Sequence, residues 1–592
     1  MKFAIFENTL GKNNESLLFH DLQATINAYN DLELLNLYNE LTSYSNNGLY
    51  AIGYFSYNIS TNTESHKPLA SFQIYKRLLK CNHNELINTL NQLGINHALN
   101  SDISLDNIEC EIDYDDYQHM FTEVFNNLRL GNSYQINLTN RFKLDLQNID
   151  SFSLYYKLSR SNPVKYSSYL QFDNLDIISI SPELFFQKDN NLIVTRPMKG
   201  TINSGNTIAE RENNKKILLN DEKNRAENRI IVDLMRNDLA KIATTGTVKV
   251  NKLFDIEEYN TVLQMTSEIQ AEIEPSTYLK DIISALFPCG SITGAPKKKT
   301  IELINKIEKS PRDVYTGSIG YILPNNDMMF NVAIRTISKY HNEKFAQFGA
   351  GGGITIQSNT LDEWNEIKIK TKFITNFYKT KFGIVESMLF KDNNIQNIDK
   401  HLNRLKNTAD HLLFECNLEQ INNRVLQYIK NEKLSDTCKL RLELDYQHNL
   451  LIEHCAIAKA KQPIRVGLLK HKIDTSHFMF KYKTTSPLTR GLYTELHNKY
   501  TNDEVDEIIF VNQNNEITES RFFNIIIEYQ GRLITPPLSC GLLPGIFRQT
   551  MIDNDELVEE IITPNMLKSA TRLYLCNYVR GLIDCVFIGE IG

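Results

Sequence analysis

Five short strand-like runs follow one another between residues 133 and 197, and polar turns separate them. They read SYQINLTNRFKLDL, YSSYLQFD, LDIISIS, LFFQKD and NLIVTRP. Short strands joined by turns favour an antiparallel sheet over alternating β-α-β units, which need a helix between parallel strands. We therefore predict an α+β fold whose first part is built on antiparallel strands.

The length of the chain is a second constraint, because 592 residues exceed what one hydrophobic core normally holds. We expect residues 1–110 to form the N-terminal part of a first domain and 111–376 its catalytic core. A second domain is expected over 381–592, where a new series of strands starts with FGIVESMLF. No long linker and no fixed-period repeat separate the parts.

Composition excludes several classes of protein. The net charge is -7 and no basic stripe is present, which argues against a nucleic-acid-binding protein. No apolar run is long enough to span a bilayer, and the first residues, MKFAIFENTL, indicate a strand and not a signal peptide. Nine cysteines without a CxxC pair favour a reducing cytoplasm.

Carboxylates form the first candidate site. Glu227 lies in a polar helical segment, and Glu363, Glu366 and Lys370 have the spacing of one face of a later helix. Carboxylates from separate helices suit Mg²⁺, a hard cation that takes one or two carboxylates plus oxygens from water and substrate. The alternative for Glu363 and Glu366 is a solvated charged face.

Two further residues have sequence surroundings that suit catalysis. Lys199 lies between a proline and a glycine in RPMKGT, and a desolvated lysine loses its proton and becomes a nucleophile. Glu183 follows an apolar strand and precedes two phenylalanines, surroundings that raise a carboxyl pKa and suit a general acid. The alternatives are a surface turn lysine and an edge-strand glutamate.

The order of eight motifs points to one family. GNSYQINLT, SISPELFF, RPMKGT, AENRIIVDLMRNDL, GSITGAPK, AIRTI, GAGGGI and DEWNEIKIK occur in the order and approximate spacing of chorismate-utilising enzymes. The resemblance covers about residues 110–375, and the family includes anthranilate synthase, aminodeoxychorismate synthase component I and isochorismate synthase. It implies a β-sandwich of two large antiparallel sheets with helices outside.

The resemblance also implies roles for individual residues. Glu227 and Glu366 resemble the magnesium ligands, with Glu363 close by, and Glu183 matches the acid that helps the 4-hydroxyl of chorismate to leave. Substrate contacts are implied for Gln135, Thr293, Gly294, Ala295, Arg335, Gly352, Gly353 and Lys370. Gln135 replaces the lysine of water-adding relatives, which favours ammonia chemistry.

Lys199 separates the branches of this family. Aminodeoxychorismate synthases resemble one another in having lysine at this position, where anthranilate synthases have alanine. The chain departs from many relatives at Gln264, where they have histidine. No amidotransferase nucleophile motif is present, so the resemblance implies that ammonia comes from a separate glutamine amidotransferase subunit.

A second candidate site lies in the last 210 residues. Lys483 follows apolar and aromatic residues in FMFKYKTT, and Lys481, two residues away on what we expect to be the same strand face, competes with it. A lysine in an apolar pocket loses its charge readily and reacts with carbonyl groups. Glu519 ends a strand–turn unit, with a hairpin-turn glutamate as the alternative, and GLLPGIFR offers backbone N–H groups for a phosphate.

These motifs resemble the fold-type IV pyridoxal-phosphate family, which includes branched-chain and D-amino acid aminotransferases and aminodeoxychorismate lyase. Lys483 matches the lysine that bonds to the cofactor and Glu519 the carboxylate at its ring nitrogen. Arg404, Ile546 and Phe547 match phosphate-binding positions, and Arg580 is a candidate for the substrate carboxylate. A homodimer with the cofactor near its interface is implied.

Together the two resemblances imply p-aminobenzoate synthesis in two steps, by amination of chorismate and then loss of pyruvate. The motifs of the second domain do not separate a lyase from an aminotransferase, and the fusion itself favours the lyase. The alternative enzyme is an anthranilate synthase large subunit fused to an aminotransferase. A non-catalytic scaffold is disfavoured, because the residues that would carry the chemistry are present.

Overall fold

The computed structural model describes residues 2–10, 15–61, 66–94, 103, 105, 107–146, 148–204, 208–258, 262–377, 382–458 and 463–592. The chain forms two compact units, one over Met1–Leu105 and Cys110–Tyr378 and the other over Asp106–Glu109 and Lys379–Gly592. No described helix combines the length and the apolar character needed to cross a bilayer.

The strands of the first sheet are β1 (Ala4–Asn8), β2 (Glu15–Ala28), β3 (Tyr50–Phe55), β4 (Ala70–Cys81), β5 (Ile108–Cys110), β6 (Gln135–Leu144), β7 (Tyr166–Gln171), β8 (Leu175–Ser181), β9 (Leu184–Asp189), β10 (Leu192–Arg196), β11 (Met198–Asn203), β12 (Lys249–Glu258), β13 (Val262–Glu272), β14 (Gly294–Ala295), β15 (Ser318–Ile322), β16 (Met328–Val332), β17 (Thr336–Tyr340) and β18 (Ala346–Ile354).

These strands belong to one continuous sheet, and the pairings described between them are antiparallel. One half runs β14-β6-β18-β17-β8-β7-β1, and the other runs β4-β3-β15-β16-β9-β10-β13 with β11 and β12 on β13. β2 pairs with both β1 and β4 and so joins the halves.

A buried apolar cluster lies between the two halves. It contains Phe6 and Ile177 from one half and Ile52 and Ile319 from the other, all almost fully removed from solvent. Burial of these faces supplies the main driving force for folding of the unit. The prediction of a two-layer antiparallel β-sandwich is confirmed, with the difference that one folded sheet provides both layers.

The helices of the first unit are α1 (Asp31–Asn46), α2 (His83–Gln92), α3 (Tyr114–Arg129), α4 (Ser151–Ser161), α5 (Ile208–Asn220), α6 (Glu222–Ala240), α7 (Leu279–Leu286), α8 (Lys297–Ile307) and α9 (Thr360–Thr375). Apolar faces of α1, α6 and α7 pack on the outer face of the half that contains β3 and β4. α3, α8 and α9 lie against β6 and β18 of the other half.

Two helices differ from the sequence prediction. α4 lies between β6 and β7, where we expected only a polar turn, because its Leu154 and Leu158 are buried at helical spacing. The polar helical segment that contains Glu227 is divided into α5 and α6. The division occurs because the Asp221 side chain accepts a hydrogen bond from the backbone N–H of Asn224 and caps a new helix. This cap starts α6, the helix that carries Glu227.

The second unit contains strands β19 (Ile384–Lys391), β20 (Asn394–Ile395), β21 (Thr437–Leu444), β22 (Leu450–Ala456), β23 (Ile464–Ile473), β24 (Glu507–Asn512), β25 (Ile517–Ser520), β26 (Asn524–Tyr529), β27 (Arg532–Thr535), β28 (Val558–Glu559), β29 (Arg572–Asn577) and β30 (Gly581–Ile591). Its helices are α10 (Ile398–His411), α11 (Leu418–Asn431), α12 (Leu492–Tyr500), α13 (Ile546–Asp553) and α14 (Pro564–Lys568).

Two sheets organise this unit. A four-stranded antiparallel sheet has the order β20-β19-β21-β22, and α10 packs against β19. An eight-stranded mixed sheet has the order β25-β24-β23-β30-β29-β26-β27-β28, in which β23 is parallel to both of its neighbours. This arrangement agrees with the fold-type IV unit that the resemblance implies for the second part of the chain.

Candidate functional site

Two neighbouring glycines on β18 lie at the centre of the first site. A Cβ atom added to Gly352 would be 2.8 Å from Oε2 of Glu363. One added to Gly353 would be 2.5 Å from Nε2 of Gln135 and 3.1 Å from Nζ of Lys199. Only glycine leaves room for these polar groups to approach the strand so closely.

A β-bulge sets the direction of the Lys199 side chain. β11 pairs with β13 through Met198 and Thr201, and the register shifts between these two residues. An extra residue in a bulge changes the direction of the side chains beside it. Lys199 is half-buried, and its ammonium is close enough to Glu183, Glu227 and Glu366 to favour the ionised form of each.

Glu183 is buried in the connection from β8 to β9. Burial raises the pKa of this carboxyl to about 7, while a hydrogen bond from Ser291 and the charge of Lys199 act in the opposite direction. Its Oε1 atom has no hydrogen-bond partner among the residues that the structure describes. A carboxyl group with such a pKa can give up and regain a proton near neutral pH.

The other carboxylates surround Gly352. Glu363 is buried and accepts a hydrogen bond of 2.7 Å from the Ser358 hydroxyl, and burial raises its pKa. Glu366 is half-exposed and forms an ion pair of 2.7 Å with Lys370, which lowers the pKa of Glu366. Nζ of Lys370 also donates a 2.7 Å hydrogen bond to the Gly351 carbonyl.

Glu227 on α6 faces the same region. Burial raises its pKa, and the charges of Glu363 and Glu366 add to this effect. In the described ranges no group of three or more His, Cys, Asp or Glu side chains is close enough to enclose a metal ion. The arrangement fits a hydrated Mg²⁺ that takes further oxygen ligands from water and substrate, and it does not fit a closed protein cage.

Gln135 is a deeply buried polar group of the site. It is fully buried on β6, and neither atom of its amide has a hydrogen-bond partner within the described part of the chain. A buried amide without partners is costly unless a ligand or water satisfies it. The Gln135 amide is therefore free to bind a polar ligand or a water molecule.

The GSITGAPK segment lies beside Gln135, because Gly294 and Ala295 form β14 and pair with β6. A Cβ on Gly294 would be 1.8 Å from the Gln135 carbonyl oxygen. The Thr293 hydroxyl donates to the Cys289 carbonyl at 3.0 Å, and its backbone carbonyl accepts from the Asn137 N–H at 2.8 Å. The substrate contact of Thr293 stays a prediction.

Arg335 and Gln264 are located by their backbone contacts. Arg335 lies between β16 and β17 with φ 49°, and its carbonyl accepts a hydrogen bond from the Ile180 N–H. Gln264 is half-buried on β13 opposite Thr201. The carboxylate-binding role of Arg335 stays a prediction.

The second site is a cavity of about 1050 Å³ within the second unit. Among its lining residues are Lys483, Glu519, Arg404, Ile546 and Arg580. The side chains that the sequence analysis selected in this part of the chain thus border one space, except for Lys481 and Phe547. A cavity of this size holds a cofactor together with a small substrate.

Local conformation places Lys481 and Lys483 in different surroundings. We expected Lys481 and Lys483 on one face of a strand, and this was wrong, because Phe478–Lys481 form a 3-10 helical turn. The Lys481 side chain is exposed, whereas Lys483 lines the cavity. Burial lowers the pKa of Lys483 to about 7, and Arg404 and Arg490 contribute to the lowering.

Glu386 is an important residue that the sequence analysis missed. Its buried carboxylate accepts two hydrogen bonds from Arg404, of 2.7 and 2.8 Å, and a third interaction of 2.8 Å comes from Nδ1 of His401. These partners overcome the effect of burial and hold the pKa of Glu386 below its usual range. The available signal was an acidic residue inside the apolar strand GIVESMLF.

Glu519 is held by a segment that the sequence analysis had assigned to phosphate binding. The backbone N–H of Leu543 donates to Oε2 of Glu519 at 3.2 Å, and Arg490 lies 3.5 Å from Oε1. Burial nevertheless raises the pKa of Glu519. A carboxylate in this position can pair with a cationic ring nitrogen.

The residues around α13 fit a phosphate group. α13 begins at Ile546 in the cavity wall, so its first backbone N–H groups are available to an anion. Phe547 does not line the cavity, and its ring packs instead against a buried cluster that contains Ile526 and Met551. With Lys483 and Glu519 on other walls, the cavity has the groups that pyridoxal phosphate requires.

Family models match both parts of the chain. Residues 4–376 match the family described as chorismate binding enzyme, and residues 383–588 match amino-transferase class IV. Aminodeoxychorismate synthase component 1 of Bacillus subtilis (strain 168) is 40% identical over 236 residues, which are 40% of this chain and 50% of that protein. The chloroplastic aminodeoxychorismate synthase of Arabidopsis thaliana is 40% identical over 249 residues, 42% of this chain and 27% of that protein.

The fold of the first unit also occurs in solved structures. Anthranilate synthase component I from Streptococcus pneumoniae TIGR4 is 24% identical, with a TM-score of 0.54, and the match covers 62% of this chain and 93% of that one. The chain spans half or less of the length of the two curated relatives.

The lowered pKa of Lys483 can be tested without cofactor. Because burial disfavours the charged amine, we expect acetylation of Lys483 to reach half of its maximal rate near pH 7, instead of near the value of about 10.4 for a solvated lysine. Limited acetylation across this pH range, read by mass spectrometry, measures it, with exposed Lys481 in the same peptide as reference. A midpoint above about pH 9 would contradict a desolvated amine.

Proposed function

Because the chain belongs to the chorismate binding enzyme family over residues 4–376, we propose that its first unit aminates chorismate to 4-amino-4-deoxychorismate. The second unit, matched to amino-transferase class IV, then removes pyruvate from that intermediate and releases p-aminobenzoate. The observation that carries this proposal is the Lys199 amine beside Gly353 and Gln135, within the field of Glu183, Glu227 and Glu366.

In the first unit, Lys199 acts as the nucleophile. Its amine bonds to C2 of chorismate, both ring double bonds shift by one position, to C1–C6 and C4–C5, and the bond from C4 to the hydroxyl oxygen breaks. Glu183, with a pKa raised to about 7 by burial, donates the proton with which that oxygen leaves as water. Ammonia then bonds to C4 and the bond between Lys199 and C2 breaks, which restores the amine.

Charged side chains orient the substrate for this exchange. Glu227 and Glu366 would hold the magnesium ion, which when bound offsets the negative charge of a chorismate carboxylate. Lys370, fixed by Glu366 and the Gly351 carbonyl, carries a positive charge on the same side. The unpartnered amide of Gln135 is available to the incoming ammonia or to substrate.

In the second unit, Lys483 moves the proton. Pyridoxal phosphate, when bound, supplies an electron-accepting ring that stabilises negative charge on the substrate carbon next to nitrogen. Lys483, with its pKa lowered to about 7 by burial, takes the proton from C4 of the substrate near neutral pH. The bond from C3 to the ether oxygen then breaks, a C3–C4 double bond forms and makes the ring aromatic, and the departing enolate takes up a proton to become pyruvate.

The partner and the cofactors belong to the same proposal. Relatives from Bacillus subtilis and Escherichia coli are named component 1, which supports a separate subunit that delivers ammonia from glutamine. The alternative, an anthranilate synthase fused to an aminotransferase, has no use for a lysine at position 199. Conversion of chorismate and ammonium with magnesium separates the two by product, p-aminobenzoate or anthranilate.

We expect Lys199→Ala to lower chorismate amination by about a thousandfold or more, because it removes the attacking amine. The same variant should convert supplied 4-amino-4-deoxychorismate to p-aminobenzoate at the wild-type rate. Product chromatography measures both steps, and Lys252→Ala, at an exposed site of the same unit, is the matched control. Wild-type amination by the alanine variant would rule out the covalent route.

The raised pKa of Glu183 predicts the pH dependence of amination. A group that must donate a proton works below its pKa, so at constant free ammonia kcat/KM for chorismate should fall above about pH 7. In Glu183→Gln the residual activity should be low and should lack this falling limb. An unchanged limb in the glutamine variant would assign the titration to another group.

Glu366→Gln should weaken the magnesium dependence of amination. Loss of one carboxylate ligand should raise the concentration of Mg²⁺ at half-maximal rate by at least about tenfold. Asp362→Asn changes the same charge at an exposed position of α9 and should leave the titration unchanged. Identical titrations for Glu366→Gln and wild type would show that this residue is not a ligand.

A further inference from the structure

One wall of the cavity in the second unit is a face of the four-stranded sheet. Residues that lie directly opposite each other in antiparallel strands point to the same side of a sheet. Ser387 of β19 lies opposite Arg441 of β21, and Lys439 of β21 lies opposite Cys455 of β22. All four side chains line the cavity, so this face borders the space that also contains Lys483.

Three of the cationic side chains that line the cavity have carboxylate partners. These pairs are Arg404 with Glu386, Arg441 with Glu443 and Glu453, and Arg490 with Glu519. Paired charges of this kind largely cancel and attract a further anion weakly.

Lys439 differs from these residues. It is half-buried, and in the part of the chain that the structure describes its ammonium has neither an ion pair nor a hydrogen bond. The charge of Lys439 contributes to the lowered pKa of Lys483, so the two amines act on the same space. The exposed Arg580, at another part of the cavity lining, is likewise without a carboxylate partner among the described residues.

We propose that Lys439 binds a carboxylate of the substrate, and that with Arg580 it makes this unit selective for amines that carry two carboxylates. The proposal rests on the function proposed above, whose intermediate has one carboxylate on the ring and one on the enolpyruvyl group. A charge-assisted hydrogen bond to each cation uses both charges. An amine with a single carboxylate leaves one cation unpaired and is therefore held less tightly.

The kinetic test uses the full chain with its cofactor and 4-amino-4-deoxychorismate as substrate. Loss of a hydrogen bond between charged groups predicts that Lys439→Gln raises KM by about tenfold to a hundredfold, with kcat changed less than about threefold. Lys439→Arg keeps the charge and should keep KM near the wild-type value. Lys430→Gln, an exposed change of the same charge on α11, is the matched control.

A binding measurement gives a second readout besides activity. The dicarboxylate 3-(carboxymethoxy)benzoate and the monocarboxylate 3-methoxybenzoate are titrated while the absorption band of the bound cofactor is recorded, so binding in the first unit is not observed. Wild type should prefer the dicarboxylate, and Lys439→Gln should lose most of this preference. An equal loss in Lys439→Arg would assign the effect to shape and overturn the proposal.

The outcomes separate this inference from the function on which it rests. A wild-type chain that forms no p-aminobenzoate from 4-amino-4-deoxychorismate overturns the proposed function, while the binding measurement still tests Lys439. If wild type is active but Lys439→Gln has an unchanged KM and an unchanged preference for the dicarboxylate, the role of Lys439 is overturned and the proposed function stands.

Discussion

The first site depends on the absence of two side chains. At Gly352 and Gly353 the strand β18 has no Cβ atoms, and the space is taken by the carboxylate of Glu363, the amide of Gln135 and the amine of Lys199. A side chain at either position would force these polar groups to move away from the strand. The close approach brings an amine and an acidic group onto one short segment of backbone.

Burial shifts the pKa of one candidate site residue in each unit. Removal from water disfavours a charge, so it raises the pKa of the Glu183 carboxyl to about 7 and lowers that of the Lys483 amine to about 7. The acid is then available as a proton donor and the amine as a proton acceptor near neutral pH. In each unit neighbouring charges modify this effect, with Lys199 near Glu183 and Arg404 near Lys483.

Pairing decides which charges remain available to a ligand. Arg404 was expected to bind phosphate, yet Glu386 already occupies its guanidinium with two hydrogen bonds. Lys370 is similarly held by Glu366. Lys439 has no such partner among the described residues, and this difference, invisible in the sequence of β21, is what singles it out. Counting cationic residues around a cavity therefore overestimates its attraction for anions.

The sequence alone was sufficient for the class of fold and for the family resemblance of each part of the chain, and it selected Lys199, Glu183, Lys483 and Glu519 as candidate site residues. These conclusions depend on local patterns, such as alternation in strands and short motifs in a given order. It did not reveal α4, the exposed side of Lys481 or the carboxylate of Glu386. Each of these depends on which surface is buried, and burial is set by contacts between segments far apart in the chain. Residue types and their order come from the sequence, whereas the tertiary structure decides which groups lose water and which charges are paired, because desolvation and ion pairing act through space.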